Sequence, residues 1–440
     1  MPSGAIRRRI ILASVVGTTI EFYDFYVYAA AAVAVFPFLF FPHNDDPTVS
    51  LLASFATFGL AFAARPLGSV LFGHFGDRIG RKATLVASLL TMGIATFIIG
   101  LLPTYATAGI AAPALLALMR FGQGLGLGGE WSGAALLSTE TAREGKRAWA
   151  AMWPQLGAPL GFIFANGLFL ILTSTLGYSP GDTVGAFMAW GWRIPFLLSI
   201  VMVVVGLYAR FSLEETPVFT KALAEGQRET VPLAAVFRTS LKPLVLGTVV
   251  MMSCYTLFFL ITTWVLSYGI GSAETGMGLS IPYMEFLELQ MVSIFLFLAF
   301  IPVAATLADR YGRRSILIGV SLLMVGFAFS FNTLLGGPHA NKFTVLVFLC
   351  VGMAIMGLVF GPMSAVLPEM FPTSVRYTGS GIAYNASSIL GAAIAPFIAT
   401  WLLANHGVQA VGWYLLVVTL LSLAAVVMMK ETRDADMSAI

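Results

Sequence analysis

The segment "GHFGDRIGRK" at residues 73–82 returns in altered form as "ATLADRYGRR" at residues 305–314. Both copies contain an acid, a base, one further residue, a glycine and two more bases ("DRIGRK" and "DRYGRR"). Each copy follows a long apolar run, so the two occupy equivalent places in the two parts of the chain. Because internal repeats are frequent in membrane proteins with many spans, the pair predicts a chain built from two related halves.

The composition indicates that most of the surface faces lipid. Hydrophobic residues make up 58% of the 440-residue chain and charged residues 10%, whereas soluble domains carry roughly 25% charged residues. The formal net charge of +3 gives no reason to expect nucleic acid as a partner. The two cysteines lie in apolar segments and the four histidines are scattered, so we expect no disulfide, no metal site and no cofactor.

Twelve apolar runs are long enough to cross a bilayer, which takes about 20 residues each. The sequence therefore predicts an all-α membrane protein with spans at 11–40, 50–74, 83–102, 110–138, 148–172, 190–211, 243–269, 285–308, 315–335, 343–367, 377–403 and 408–429. The first run is too long for a signal peptide and contains two acids, so we interpret it as a retained span.

The distribution of basic residues supports this map. With both termini in the cytoplasm, all but four of the 24 basic residues fall on the inner side. The exceptions are Lys342 on the outer side and Arg65, Arg120 and Arg193 within spans or at their ends. We therefore predict an N-terminal six-helix bundle (1–211), a polar cytoplasmic linker (212–242) and a C-terminal six-helix bundle with a short tail (243–440).

Charged side chains inside the apolar runs are the main candidates for function, since such residues pair with each other or line wet cavities. In "EFYDFYVY" (21–28), Glu21 and Asp24 share one helix face. A rise of 1.5 Å per residue places Asp24 roughly 20 Å from the inner side and Arg120 roughly 15 Å from the outer side. The alternative is a fixed Asp24–Arg120 bridge that only orients helices. Glu21, Arg65 and Glu130 are expected in a second cluster nearer the cytoplasm.

The glycines of "GLGLGG" (124–129) match a dinucleotide-binding pattern, but they lie within the fourth apolar run. Since that motif requires a soluble strand–turn–helix unit, we interpret the glycines as a small-residue face that packs against another helix.

Several stretches resemble the major facilitator superfamily, whose signature joins spans 2 and 3 and is echoed between spans 8 and 9. The second copy lacks the leading glycine of that signature. More narrowly, the chain resembles the bacterial metabolite:proton symporters in "GTTIEFYDFYVY" (17–28), "ARPLGSVLFGHFGDRIGRK" (64–82), "RFGQGLGLGGEWSGAALLSTE" (120–140), "WGWRIPF" (190–196), "LEETPVF" (213–219) and "PEMFPTSVRYTGSGIAYN" (368–385).

The resemblance implies two pseudo-symmetric bundles in the inner membrane and a monomeric transporter rather than an enzyme. We expect import of a small polar metabolite, preferentially an organic acid, together with protons by alternating access. A symporter of zwitterionic compatible solutes such as betaine or proline stays open as an alternative, and a drug exporter is a less favoured one.

Candidate residues fall into three groups. Proton coupling is assigned to Asp24, with Glu21 and Glu130 as further candidates. Arginine donors for a carboxylate and cavity-lining side chains are predicted to bind substrate: Arg120, Arg65, Tyr23, Tyr28, Gln123, Trp131, Trp153, Gln155, Tyr255, Tyr384 and Asn385. The resemblance supports a cytoplasmic gate of charged pairs: Asp77, Arg81, Glu140, Asp309, Arg313, Glu369 and Arg376.

Overall fold

The structure is a computed structural model that describes residues 4–42, 47–79, 81–129, 131–140, 142, 145–179, 182–211, 232–336, 339–372 and 375–434. All regular secondary structure in these residues is helical. The all-α prediction is confirmed, and the helices form the twelve spans of two six-helix bundles.

Spans 1 to 6 form the N-terminal bundle. Their helical segments, in chain order, are Gly4–Ala34 with Phe36–Leu39, Pro47–Ile79, Arg81–Ile99, Ala111–Leu127 with Trp131–Glu140, Arg147–Gln155 with Gly157–Leu176, and Phe187–Gly191 with Arg193–Leu197 and Ser199–Phe211. Short helices also occur at Tyr105–Ala108 before span 4 and at Pro232–Thr239 before span 7.

Spans 7 to 12 form the C-terminal bundle. Their helical segments are Leu241–Phe259 with Leu260–Trp264 and Val265–Ile270, Tyr283–Tyr311, Arg313–Ala328 with Ser330–Leu335, Lys342–Glu369, Arg376–Ser388 with Ile389–Ala393 and Ala395–His406, and Val408–Met428.

Eight helices in the described residues are long and apolar enough to cross a membrane by themselves. Four of the twelve spans are not among these eight helices. Span 1 carries two acids, the described apolar part of span 3 is short, and the helices of spans 4 and 9 are interrupted. Within the predicted linker, residues 212–231 lie outside the described part, so the linker stays a prediction.

Close contacts at glycines fix the helices that carry the central charges. A methyl group at Gly124 would overlap the carbonyl oxygen of Ala61, and one at Gly128 would overlap that of Arg65. Span 4 therefore lies directly against span 2, as the glycine spacing predicted. A methyl group at Gly161 would lie 2.7 Å from the backbone nitrogen of Tyr23, which shows that span 5 is equally close to span 1.

Two spans of the C-terminal bundle contain a π-helical turn, at Leu260–Trp264 in span 7 and at Ile389–Ala393 in span 11. Such turns rotate the helix beyond them and are frequent at functional sites. A methyl group at Gly391 would lie 2.8 Å from Cβ of Tyr255, so the two spans are in close contact beside that side chain.

Candidate functional site

A cavity lies between the two bundles near the middle of the molecule. Six of its twelve lining residues are phenylalanines, and the set comprises Phe22, Phe25, Phe62, Arg65, Met251, Cys254, Tyr255, Phe258, Phe259, Met356, Phe360 and Tyr384. Arg65 is the charged member of this lining. An apolar cavity with a few convergent polar groups is the usual form of a small-molecule site.

Arg65 is buried but loosely held. Its Nη2 lies 3.5 Å from Oε1 of Glu21, and its Nη1 donates a 3.4 Å hydrogen bond to the hydroxyl of Tyr255. Nε of Arg65 has no hydrogen-bond partner among the described residues. Since a guanidinium carries five donor hydrogens, this side chain retains capacity for another acceptor.

Asp24 and Arg120 are connected through two intermediate side chains. Arg120 donates from Nη1 to Oε1 of Gln123 at 2.9 Å, and Gln123 donates to the hydroxyl of Thr96 at 2.6 Å. Thr96 in turn donates to Oδ2 of Asp24 at 3.0 Å. No direct ion pair joins Asp24 to Arg120 in the part of the chain that the structure describes, so the bridge considered as an alternative is absent there.

Arg120 lies outside the cavity lining. Its guanidinium carbon is 3.9 Å from the ring centre of Tyr28 and 5.6 Å from that of Phe25, in cation–π contact. Phe25 itself lines the cavity, which places Arg120 behind the aromatic wall. The predicted role of Arg120 in substrate binding thus stays a prediction, and direct access to a ligand would require Phe25 to move.

A stacked pair of rings lies at the side of the cavity that Tyr384 lines. The rings of Trp131 and Tyr384 are 3.8 Å apart and almost parallel, at 3°. Next to this pair, the Asn385 side chain donates to the hydroxyl of Ser69, and Gln155 donates to the carbonyl of Phe360. Trp131, Gln155, Tyr384 and Asn385 therefore connect the bundles, and we call the Trp131–Tyr384 pair the cavity floor.

Other predicted substrate residues lie elsewhere. The hydroxyl of Tyr23 donates to the carbonyl of Pro195 in span 6, and that of Tyr28 donates to Thr57. Trp153 is partly buried, with its ring 6.3 Å from that of Trp149. Glu130 lies outside the described residues.

A network of charges at one end of the molecule joins the two bundles, and we call it the latch. Glu369 accepts two 3.1 Å hydrogen bonds from Arg313 and forms a 3.5 Å ion pair with Arg147 of the other bundle. Asp309 accepts from the backbone N–H groups of Ala148 at 3.0 Å and Trp149 at 2.9 Å. The carboxylate thus caps the first turn of span 5, where backbone donors lack partners within the helix.

The segment after span 12 reinforces the latch. Oε1 and Oε2 of Glu431 accept backbone hydrogen bonds from Arg313 at 2.9 Å and Arg314 at 3.0 Å, at the start of span 9. Thr432 donates to Glu369 at 2.7 Å, and Arg147 donates to the carbonyl of Arg433 at 2.6 Å. Partial burial raises the pKa of Glu431, but the backbone donors outweigh it and hold the pKa below its ordinary value.

The predicted gate is only partly described. Asp309, Arg313 and Glu369 lie together in the latch, whereas the side chains of Asp77, Arg81 and Glu140 lie outside the described part. Arg376 is buried and donates to the carbonyl of Phe371.

Sequence reasoning missed three features of the site. The phenylalanines that line the cavity could not be identified from the sequence, because phenylalanines occur throughout the apolar runs. Arg147 was assigned only to the general excess of basic residues on one side. Thr96 was overlooked, although it is a hydrogen-bonding residue within an apolar run.

Two family models match the chain. The model "Sugar (and other) transporter" matches residues 10–231, and "Major Facilitator Superfamily" matches residues 277–438. The chain belongs to the major facilitator superfamily. This facilitator is a transporter of small solutes, and the family prediction is confirmed.

Curated relatives cover nearly the whole facilitator. The inner membrane metabolite transport protein YhjE of Escherichia coli is 53% identical over 98% of this chain and 96% of its own length. The shikimate transporter of Escherichia coli is 36% identical over 97% and 95%, and a proline/betaine transporter of Salmonella typhimurium is 33% identical over 98% and 85%. The relatives are named transporters, so this facilitator is a bacterial inner membrane transport protein and not an enzyme.

Solved structures agree on the fold. The proton:xylose symporter XylE bound to 6-bromo-6-deoxy-D-glucose superimposes with a TM-score of 0.71, at 17% identity over 99% of this facilitator and 98% of that chain. At this identity the likeness shows the major facilitator fold alone.

Proposed function

We propose that this facilitator imports a small organic acid together with protons by alternating access. The observation that carries the proposal is the position of Arg65, the charged side chain in the aromatic cavity between the bundles. A planar guanidinium can bind a carboxylate through two charge-assisted hydrogen bonds. The rings around it suit the carbon skeleton of the same molecule, and the similarity to a shikimate transporter supports this substrate class.

The latch supports a conformation that is closed at one face. Contacts between bundles at Glu369–Arg147 and Asp309–Ala148, together with the cavity floor, separate the cavity from that face. We assign this face to the cytoplasm, because the basic residues of the loops concentrate there and cytoplasmic loops collect such residues. Release of the substrate then requires the latch and the floor to separate.

Asp24 is the proposed site of the coupled proton. It is fully buried, its Oδ1 has no hydrogen-bond partner in the described residues, and its other oxygen accepts from Thr96. A buried carboxylate without a direct cation is costly when charged and far less so when protonated. Proton binding at Asp24 is thus expected to change the chain of hydrogen bonds that leads to Arg120.

The test uses Asp24→Asn, which mimics the protonated form at every pH. Purified wild type and variant in proteoliposomes are given labelled shikimate, proline and betaine, with and without an inward pH gradient. The variant should lose accumulation driven by the gradient, by about tenfold or more, but keep exchange of substrate across the membrane. Accumulation at the wild-type level in folded Asp24→Asn would contradict the role of Asp24.

A zwitterion carrier is the second candidate. Aromatic faces attract quaternary ammonium groups, and the cavity is bordered by phenylalanine and tyrosine rings. The similarity to proline/betaine transporters favours the same substrate class. Uptake of betaine with no uptake of organic acids in the experiment above would establish this candidate in place of the first.

A further inference from the structure

A second cavity lies between the bundles, and we call it the distal cavity. Its eight described lining residues come from spans 1, 5 and 7, and none of them is charged. Its volume is about 220 Å³, compared with about 360 Å³ for the cavity that Arg65 lines, here called the first cavity. The polar lining of the distal cavity consists of Tyr26, Asn166, Thr262 and Thr263. A ligand at this position must be small and is recognised by uncharged hydrogen-bonding groups.

The distal cavity is farther from the latch than the first cavity. Between Arg147 of the latch and Asn166, span 5 rises by roughly 28 Å. Between Phe360, which lines the first cavity, and Glu369 of the latch, span 10 rises by roughly 13 Å. The two cavities therefore follow one another along the boundary between the bundles, with the distal cavity on the side away from the latch.

Aromatic rings from both bundles separate the two cavities. Tyr26 of span 1 lines the distal cavity, Phe258 of span 7 lines the first cavity, and their ring centres are 5.7 Å apart. The adjacent residues on the same two helices, Phe25 and Phe259, have ring centres 5.2 Å apart. A ligand in the distal cavity is therefore kept from Arg65 until these rings move.

The polar side chains of the distal cavity have unused hydrogen-bonding capacity. Tyr26 is buried, at 2% exposure, and its hydroxyl has no hydrogen-bond partner among the described residues. The Asn166 amide donates a 3.3 Å bond to the carbonyl of Phe162 on its own helix, and the hydroxyls of Thr262 and Thr263 are 3.5 Å apart. Because an unpaired buried polar group costs free energy, a ligand that supplies partners to these groups is favoured.

The backbone of span 7 is irregular where it borders the distal cavity. Thr262 and Thr263 both belong to the π-helical turn at Leu260–Trp264, and such turns are frequent at functional sites. Gln290 of span 8 donates a 2.8 Å hydrogen bond to the carbonyl of Thr262 within this turn. On span 1, the lining residues Ala29 and Ala30 have small side chains, which leaves room beside the threonines.

We propose that the distal cavity is a second binding site for the substrate, that it recognises hydroxyl groups, and that the imported acid is a hydroxylated carboxylic acid. A ligand hydroxyl both donates and accepts, which matches the phenol, amide and hydroxyl groups of Tyr26, Asn166 and Thr263. A trimethylammonium group offers no donor, and an unsubstituted ring offers neither donor nor acceptor. The acid occupies the distal cavity first and reaches Arg65 when the Tyr26–Phe258 contact opens.

This inference rests on the proposed import of an organic acid and adds a site in which Arg65 takes no part. Ala30→Cys places a thiol in the distal cavity and leaves its polar groups unchanged. The native thiols are removed by Cys254→Ala in the first cavity and by Cys350→Ala.

The experiment measures how fast Ala30→Cys is modified by a trimethylammonium methanethiosulfonate added outside right-side-out vesicles. Rates are compared without ligand and with shikimate, cyclohexene carboxylate or betaine. The first two ligands share the ring and the carboxylate and differ in the hydroxyl groups.

Saturating shikimate should slow the modification about tenfold, and this protection should persist in Arg65→Gln because Arg65 does not line the distal cavity. In Arg65→Gln, cyclohexene carboxylate and betaine should give no protection. Adding Thr263→Val or Asn166→Leu should raise the shikimate concentration for half-protection about fivefold. If Arg65→Gln fails to fold, the same two substitutions are tested with Arg65 intact, where they should weaken protection by shikimate and not by cyclohexene carboxylate.

Thr248→Val is the matched control. It removes a hydroxyl of span 7 that donates to the carbonyl of Leu244 on its own helix at 2.8 Å, outside both linings, and should leave protection unchanged. Loss of shikimate protection in folded Arg65→Gln would overturn the proposal, as would equal protection by cyclohexene carboxylate or betaine, or no modification of Ala30→Cys. Since modification requires no transport, protection by shikimate without its import would count against the proposed function and not against the distal site.

Discussion

The buried charges of this molecule are arranged in two different ways. In the latch, Glu369 accepts two 3.1 Å hydrogen bonds from one arginine and a 2.7 Å bond from Thr432. At the cavity, the closest approach of Glu21 to Arg65 is 3.5 Å, and Nε of Arg65 has no partner in the described residues. Short bidentate pairs stabilise one geometry, while long and incomplete ones leave a group able to exchange partners.

The difference in hydrogen bonding matches the different roles proposed for the latch and the cavity. The latch holds two rigid bundles in one relative position, and its bonds end at helix termini and backbone groups. In the proposed function the cavity accepts and releases a ligand in every cycle, so a fully satisfied arginine there would have no free donor. The Nε of Arg65, which is unpaired among the described residues, thus fits the binding role proposed for the cavity.

The largest effect on stability is expected when a buried carboxylate is removed from the latch, and it can be compared with the same change at the cavity. Glu369→Gln removes the anion that accepts two hydrogen bonds from Arg313, which keeps only Asp309 as a described acidic partner, and should lower the free energy of unfolding by about 3 kcal/mol. Glu21→Gln should lower the free energy of unfolding by less than about half that amount, since water or an anion in the cavity can replace the lost carboxylate. Thermal unfolding in detergent measures both, with Glu285→Gln as control because it removes an acid from a half-exposed ion pair with Lys342. Equal decreases in the free energy of unfolding would show that the Glu369–Arg313 and Glu21–Arg65 pairs contribute equally to stability.

A smaller effect is expected at the cavity floor, which lies between the two regions. Trp131→Ala removes the stacking contact with Tyr384, about 1 kcal/mol, and should increase Cys254 modification from the cytoplasmic side several-fold in inside-out vesicles. Trp131→Phe keeps a ring against Tyr384 and should stay close to the parent. If Trp131→Ala leaves modification unchanged, the latch alone closes the pathway.

The smallest effect is expected at Glu431, the outer part of the latch. Because the folded protein holds its pKa below the unfolded value, its contribution is complete above that unfolded value and is lost as the pH falls through the folded one. Glu431→Gln should therefore lower the free energy of unfolding by about 1 kcal/mol at pH 7, and the difference from wild type should shrink as the pH falls below the ordinary glutamate pKa of about 4.3. Unfolding midpoints at pH 7, 5 and 3.5 measure the trend, and a difference that grows on acidification would refute the assignment.

The fold could be predicted almost completely from the sequence. The repeat around Asp77 and Asp309, the length of the apolar runs and the position of the basic residues each depend on local sequence. The π-helical turn at Leu260–Trp264 was not predictable, since it depends on how span 7 packs against its neighbours.

The site was only partly predictable. Charges at Glu21, Asp24, Arg65 and Arg120 are conspicuous in apolar runs, and their depth follows from helix rise. Depth does not give the rotation of a helix, however, so sequence reasoning treated both arginines as substrate donors. The structure places Arg65 at the cavity and Arg120 behind Phe25.

The central charges also have an unequal distribution between the bundles. Glu21, Asp24, Arg65 and Arg120 all belong to the N-terminal bundle, and the buried charged side chains described in the other bundle, Arg313, Glu369 and Arg376, lie near the ends of their spans. A voltage across the membrane exerts force only on charge that moves within the field, at about 2.3 kcal/mol per elementary charge for 100 mV. In the proposed cycle the electrical work is therefore done on the N-terminal bundle, and a transient current on substrate addition is expected to report the motion of that bundle and of protons bound to it.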